Sequence, residues 1–315
     1  MRTAARPSSP DVAPEWPSAP RVRVSDLKSC EDDIAALKNS EIQGVVCHAD
    51  SLDVLRKVKA QTVRLVYIDP PFNTGSAQVR RTTKAIRGRG GGQVGFQGKV
   101  YERRETSRLA YADSFDDYLG FLGARLAEAR RVLTDDGSVF VHLDAREVHY
   151  VKVLMDELFG REAFVNEIIW AYDYGGRPKN RWPAKHDTIL WYARDPKNYV
   201  FNYDAIDRIP YMAPALVGAE KAERGKTPTD VWWHTIVPTN SREKTGYPTQ
   251  KPLGVLERIV KVHSDAGDLV MDFFAGSGTT GEAALRCHRR CLLVDDNEEA
   301  VALAHRRLNN LSQEN

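Results

Sequence analysis

"DLVMDFFAGSGTTG" occupies residues 268–281, and only 34 residues follow it. An apolar run ends in Gly276-x-Gly278-x-x-Gly281, a helix pattern follows, and an acid, Asp295, stands about 20 residues on. Strand, glycine turn, helix and distal acid are the marks of a dinucleotide fingerprint. Taken alone they predict a nicotinamide-dependent oxidoreductase. Position argues against that reading, because such a unit normally opens its domain. Here the remaining chain supplies one strand, "RRCLLVDD" (289–296), and one helix with Val301, Ala304, Leu308 and Leu311 aligned. The rest of the sheet has to come from earlier residues, so the expected fold is a circularly permuted α/β sheet.

The earlier chain reads accordingly. "IQGVVCHAD" (42–50), "VRLVYID" (63–69) and "SVFVHLD" (138–144) are short apolar runs of buried-strand type. Between them lie "SLDVLRKVKA" (51–60), with Ser51 as its cap, and "SFDDYLGFLGARLAEARRVL" (114–133). In the latter, Phe115, Tyr118, Leu119, Leu122, Leu126, Ala129 and Val132 recur at helical spacing, with Ser114 and Asp117 as a capping pair and "TDDG" as the stop. A helix over 145–160 closes on Gly160. "FVNEIIWAYD" and "HDTILWYARD" read as strands flanking a polar loop, and "LGVLERIVKVHS" (253–264) as a helix behind "TQKP". Strands alternating with helices predict helices on both faces of the sheet.

The second strand ends unusually, as "LVYIDPPFNTG" (65–75). Prolines end strands because they lack an amide donor. That accounts for Pro70 and Pro71 but leaves Asp69 and Phe72 without a reason.

Whole-chain numbers narrow the class. The chain has 315 residues, 42% of them hydrophobic, enough for one large core with an inserted region. No run of 18 apolar residues occurs, so no membrane span is expected, and the first residues have no signal-peptide core. Five prolines in residues 1–24 predict a disordered lead-in. Cys30, Cys47, Cys287 and Cys291 form no CxxC pair and have no zinc-site histidine, so reduced thiols, a cytoplasmic location and no metal are expected. Net charge is +2, yet residues 79–108 hold nine Lys/Arg against two Glu, a local +7 on a body carrying −5. A basic, glycine-rich segment of this kind is an electrostatic footprint for nucleic acid, or else a solvated loop.

Four segments together carry a resemblance. "HADSLDVL" (48–55), "DPPF" (69–72), "YPTQKP" (247–252) and "FAGSGTT" (274–280) stand in the order found in the beta group of DNA amino-methyltransferases. These enzymes methylate adenine N6 or cytosine N4 with S-adenosylmethionine, and the likeness spans residues 42–311. It implies a circularly permuted Rossmann-like class I methyltransferase sheet with an inserted target-recognition region. The expected division is an extension over 1–24, a catalytic half over 25–170 with a flexible basic loop at 73–112, target recognition over 171–247, and a cofactor-binding half over 248–315.

The resemblance also implies roles. Phe274, Ala275, Gly276, Gly278, Thr279 and Thr280 line the cofactor, with glycine allowing close backbone approach and helix amides facing the methionine carboxylate. Asp272 is expected to receive the methionine ammonium and Asp295, ahead of its rival Asp296, the ribose hydroxyls. Asp50 is expected at the cofactor's adenine amino group and Lys251 at its carboxylate. Asp69 and the Pro70 carbonyl would accept the two hydrogens of the target amine, Pro70 and Pro71 fixing the step and Phe72 stacking on the base. Asp at the first motif position leans toward adenine N6, with cytosine N4 as the alternative.

A target base has to leave the duplex to reach such a site, at a cost of a few kcal/mol. Arg80, Arg81, Lys84, Arg87 and Arg89, directly after "DPPFNTG", are expected to hold phosphates of double-stranded DNA. Arg177, Lys179, Arg181 and Lys185 around Trp182, with Arg242 and Lys244, are the candidates in the middle region. The likeness leaves room for a restriction endonuclease partner and a homodimer. A non-catalytic DNA-binding module, and methyl transfer to RNA or protein, are the competing readings. His142 and His149 have no nucleophile nearby in sequence, and Trp232 and Trp233 are expected in the core.

Overall fold

The computed structural model describes residues 16–17, 19–74, 78–87, 93–94, 100–111, 115–238 and 240–311. The first half of the chain runs β1 (Val22–Asp26), α1 (Cys30–Lys38), β2 (Gly44–His48), α2 (Ser51–Lys57), β3 (Val63–Ile68), β4 (Gln78–Arg87), β5 (Gln93–Val94), β6 (Val100–Tyr111), α3 (Tyr118–Val132), β7 (Leu133–Leu143) and α4 (Val148–Phe159). The second half runs β8 (Phe164–Ala171), β9 (His186–Ala193), α5 (Ala219–Arg224), β10 (Val231–Trp233), α6 (Leu253–His263), β11 (Leu269–Asp272), α7 (Thr279–Arg286), β12 (Arg290–Asp295) and α8 (Glu298–Asn310).

Nine strands make the main sheet, in the order β1-β2-β12-β11-β3-β7-β9-β8-β10. The run from β1 to β7 is parallel, and β9 lies antiparallel between β7 and β8. Side chains alternate between two cores, as the period of a strand requires. Val66 and Ile68 of β3 face one core with Val139 and Val141 of β7 and the apolar faces of α1 to α4. Leu65 and Tyr67 face the other, with Phe140, Val270 and the buried stripes of α6, α7 and α8. Both faces are therefore covered, which is what keeps a parallel sheet of near-continuous apolar strands out of water.

The permutation is visible at one seam. β11, from the end of the chain, pairs with β3, from its first quarter, through Val270↔Leu65 and Met271↔Val66. From β11 the sheet grows through β12 to one side; from β3 it grows through β7 to the other. A seam of this kind is a topological switch point, and open α/β sheets bind ligands outside the carboxyl ends of the strands there. "DPPF" and "FAGSGTT" leave those two carboxyl ends side by side.

Three expectations need correction. Residues 22–24, assigned to a disordered lead-in, are part of edge strand β1, and Trp16 stacks on His288 with ring centroids 5.6 Å apart; residues 1–15 lie outside the described residues. The segment expected as a flexible loop at 73–112 contains β4, β5 and β6, a separate antiparallel sheet. Val79, Thr82, Thr83, Ile86, Val100, Tyr101 and Tyr111 are β-branched or aromatic, and that propensity outweighs the local charge. "TDDG" is not a simple stop: Val63 pairs with Leu133 and Leu65 with Ser138, so residues 134–137 bulge from β7. A side chain at Gly137 would meet the Arg64 carbonyl at 2.8 Å, so only glycine fits there. Within 171–247, the region expected for target recognition, β9 and β10 belong to the main sheet. α3 starts at Tyr118 and is capped by Asp117, whose carboxylate accepts the Gly120 amide at 2.8 Å; Ser114 lies outside the described residues.

Candidate active site

An open cleft covers the carboxyl ends of β2, β12, β11 and β3. It is lined by Asp50 after β2, Asp69–Phe72 after β3, Asp272 at the end of β11 with Phe273–Ser277 after it, and Asp295 at the end of β12. The four sequence segments therefore converge on one space. Phe274, Ala275, Gly276, Thr279 and Thr280, the residues expected at the cofactor, line it; Gly278 closes the turn behind them. Asp296, the rival of Asp295, lines it as well.

The turn is built on two left-handed residues, Gly276 (φ 49°) and Gly278 (φ 75°). A Cβ on Gly278 would stand 2.8 Å from that of Ala304, so α8 packs directly on the turn. Asp295 accepts the Gly276 amide at 2.8 Å and the Asn297 amide at 3.0 Å. Asp272 accepts the Thr280 hydroxyl at 2.6 Å and the Phe274 amide at 3.0 Å. Burial nonetheless dominates both carboxyls. It pushes Asp272 up to about 7 and Asp295 up to about 6, against those hydrogen bonds. Arg307, from α8, donates to Thr279 Oγ1 at 2.8 Å and pairs with Glu282, fastening the last helix to the turn.

Asp69 carries the most informative geometry. Its Oδ2 is paired with the Lys251 ammonium, which also stands 5.0 Å from the centroid of the Phe72 ring. Its Oδ1 is buried and has no hydrogen-bond partner among the described residues. A buried acceptor without a donor costs on the order of 1–3 kcal/mol, so a donor entering the cleft at this oxygen is favoured. Lys251 thus stands on Asp69, not at a free position awaiting a ligand carboxylate, and it is buried, not a surface cation. Charge explains the pairing: the cleft holds five carboxylates (Asp50, Asp69, Asp272, Asp295, Asp296) and two cations (Lys251, Arg125).

Behind the motif lies a polar chain that the sequence did not disclose. His142 is fully buried on β7. Its Nε2 is 3.1 Å from Asp187 Oδ2 and its Nδ1 is 2.7 Å from the Tyr67 hydroxyl. A carboxylate only accepts, so Nε2 donates to Asp187, and a ring carrying that single proton accepts from Tyr67 through Nδ1. Tyr172 donates to the other Asp187 oxygen at 3.0 Å. The His142 ring lies 6.3 Å from that of Phe72, so this chain is the floor under "DPPF". Asn73, at φ 52°, closes the step: its amide donates to Glu147 at 2.9 Å and its oxygen accepts the Phe115 amide at 3.2 Å. Arg125 was also missed. It interrupts the apolar stripe of α3, bonds Ser51 at 2.7 Å and holds Asp50 at 2.6 Å. Asp50 itself caps α2 through the Leu52 amide at 2.8 Å.

The basic candidates separate. Arg80, Arg81, Lys84 and Arg87 lie on β4, with their side chains outside the description, and Arg89 lies outside the described residues altogether. In the β8–β9 loop, Arg177 pairs with Asp173, and the Lys185 ammonium donates to the carbonyls of Tyr174, Gly175 and Gly176. Lys185 is thus a clamp within the loop, its donors matched by backbone oxygens. Lys179 and Arg181 are exposed. Trp232 is in the core as expected, whereas Trp233 is 77% exposed. No helix among the described residues is long and apolar enough to cross a membrane.

A family model described as DNA methylase matches residues 63–306. The DNA adenine methyltransferase YhdJ of Escherichia coli K12 is 29% identical over 276 residues, covering 84% of this chain and 82% of its own. Among solved structures, the M1.HpyAVI–SAM complex superposes with a TM-score of 0.53 at 20% identity, covering 84% of this chain and 99% of that one. The cytosine-N4-specific PvuII DNA methyltransferase superposes with a TM-score of 0.58 at 16% identity, covering 95% and 96%. Both structures share the fold of this chain.

Proposed function

This chain belongs to the DNA methylase family, and from that premise we propose that it moves a methyl group from S-adenosylmethionine to N6 of an adenine swung out of duplex DNA. The observation that carries this reading is the unpartnered Asp69 Oδ1 beside the glycine turn. S-adenosylmethionine supplies, when bound, an electrophilic methyl group on a sulfonium. The residues present fit it: an acid-rich cleft favours a ligand carrying ammonium and sulfonium charges. The same excess of carboxylates repels a pyrophosphate, which counts against a nicotinamide dinucleotide. Asp272 would take the ammonium, Asp295 the ribose hydroxyls, Asp50 the adenine amine, and the α7 amides a carboxylate.

The chain's own chemistry then concerns the target amine, whose lone pair is delocalised into the ring. Asp69 Oδ1 accepts one of its hydrogens and the Pro70 carbonyl the other, turning the lone pair out of the ring plane. Asp69 stabilises the positive charge that grows on nitrogen. Lys251 fixes the carboxylate by its other oxygen, so Oδ1 has one orientation, and Phe72 offers its ring to the base. Adenine is favoured over cytosine by Asp at position 69 and by the likeness to an adenine methyltransferase. The test is transfer of labelled methyl from S-adenosylmethionine into unmethylated DNA, followed by sequencing that detects modified bases. N6-methyladenine at one motif is expected; N4-methylcytosine alone would move the assignment to the alternative base, and no incorporation would reject the reading.

Asp272 makes the cofactor's affinity depend on pH. The native carboxyl holds its proton up to about 7, whereas an unfolded one loses it near its ordinary 3.8, so this group lowers stability as pH rises between those values. A bound ammonium favours the ionised form, and binding below about 7 therefore releases a proton. The dissociation constant should fall by about tenfold from pH 6 to pH 8 and level off above, the change of one pKa unit being about 1.4 kcal/mol. Titration calorimetry in buffers of different ionisation enthalpy would read both the slope and the proton. Asp272→Asn should bind more weakly and without that slope.

A further inference from the structure

We propose that Trp182 is a wedge that enters the DNA duplex beside the extruded base, flanked by Lys179 and Arg181 on the phosphates. Trp182 is 94% exposed. Tryptophan is highly buried on average in folded proteins, so a ring standing almost wholly in water is unusual. Its sequence surroundings, Lys179-Asn180-Arg181-Trp182-Pro183, supply the chemistry: an aromatic face among cations suits a stack of bases between phosphates. Lys179 and Arg181 have no ion-pair partner among the described residues, unlike Arg177 and Lys185 beside them.

The support of this side chain is rigid. Lys185 gathers the carbonyls of Tyr174, Gly175 and Gly176, and its own carbonyl accepts the Tyr172 amide at 2.9 Å, closing the base of the loop. Pro178 and Pro183 fix φ on either side, and a residue before proline is restricted to extended backbone. The base of the loop is therefore ordered before contact, which lowers the ordering cost of binding.

Register places the wedge. β3 pairs with β7 in parallel (Ile68↔Val141) and β7 with β9 antiparallel (Leu143↔Thr188). The loop that ends at His186 consequently emerges at the same sheet edge as Asp69, two strands away, or roughly 10 Å at the usual strand spacing. Asp187, five residues after Trp182, already touches His142 under Phe72. A base held against Phe72 would leave its gap in the duplex close to this loop, and a ring inserted there replaces the stacking lost by extrusion.

This inference rests on the methyltransferase reading above. Once the methylated motif is known, two duplexes carrying it would be compared, one fully paired and one with an abasic position opposite the target adenine. Trp182→Ala is expected to lower kcat/KM about tenfold on the paired duplex and to recover most of that loss on the abasic one, where pairing no longer opposes extrusion. Trp182→Phe should keep most of the wild-type rate on both. Equal loss on the two duplexes, or no loss on either, would overturn the wedge while leaving the enzyme reading intact. Wild-type protein inactive on both would remove the enzyme reading and the wedge with it.

Discussion

Asp69→Asn is expected to slow methyl transfer about 10³-fold, the scale set by loss of a placed electrostatic group, with the cofactor's dissociation constant changed by no more than about threefold. The near-isosteric change is more telling than deletion. Asn has one acceptor oxygen, and the Lys251 ammonium claims it, as it claims Oδ2 in the native protein. The amide nitrogen then occupies the place of Oδ1 and points donor hydrogens at the donor hydrogens of the target amine. Asp69→Ala should be equally slow but less stable, because it leaves Lys251, 8% exposed, without its carboxylate. Single-turnover rates with saturating cofactor, beside thermal melts, separate the two effects. An Asn variant retaining a tenth of the native rate would sink the role given to Asp69.

The elements that could be read without coordinates are those whose chemistry repeats along the chain. Strand runs such as Val63–Ile68 and the stripe Leu122, Leu126, Ala129 follow from period alone. The meeting of Asp69 with Gly276 follows from order, since a nucleotide-binding unit at the end of a chain must pair with a strand from the beginning. What stayed hidden are single polar side chains turned inward from apolar faces. Arg125 sits three residues after Leu122 on the buried side of α3, and His142 alternates correctly along β7 with Phe140. A polar residue at such a position is ordinarily taken as a break in the face; the signal available was that the face continued past it. Partner identity was beyond reach for a different reason. Lys251 and Asp69 are 182 residues apart, and nothing local distinguishes a lysine that will meet a ligand from one that will meet an aspartate. The β4–β6 strands were masked by composition, because glycine and arginine counts averaged over the segment outweighed the alternation within it.

Arg307 supplies a second large effect, on stability. It reaches from α8 to Glu282 on α7, donates to Thr279 and Ser277 in the glycine turn, and both charged side chains are less than a tenth exposed. Removing one partner of a buried pair leaves the other charge without compensation, which costs about 3–5 kcal/mol. Arg286 also bonds Glu282, at 2.8 Å, and stands nearer solvent, so Arg307→Met should fall at the lower end, about 3 kcal/mol. That corresponds to a drop in Tm of roughly 5–10 °C for a domain of this size. The double variant Arg307→Met/Glu282→Leu removes both charges and fills the space with apolar volume. It should recover most of the Tm, since desolvation no longer opposes burial. Its cofactor affinity should nevertheless stay low. Thr279 and Ser277 lose the donor that fixes them, and stability restored elsewhere does not put that donor back. Recovery of both stability and affinity in the double variant would mean that the turn holds its shape through Gly276, Gly278 and Asp295 alone, with α8 serving only as a lid on the core.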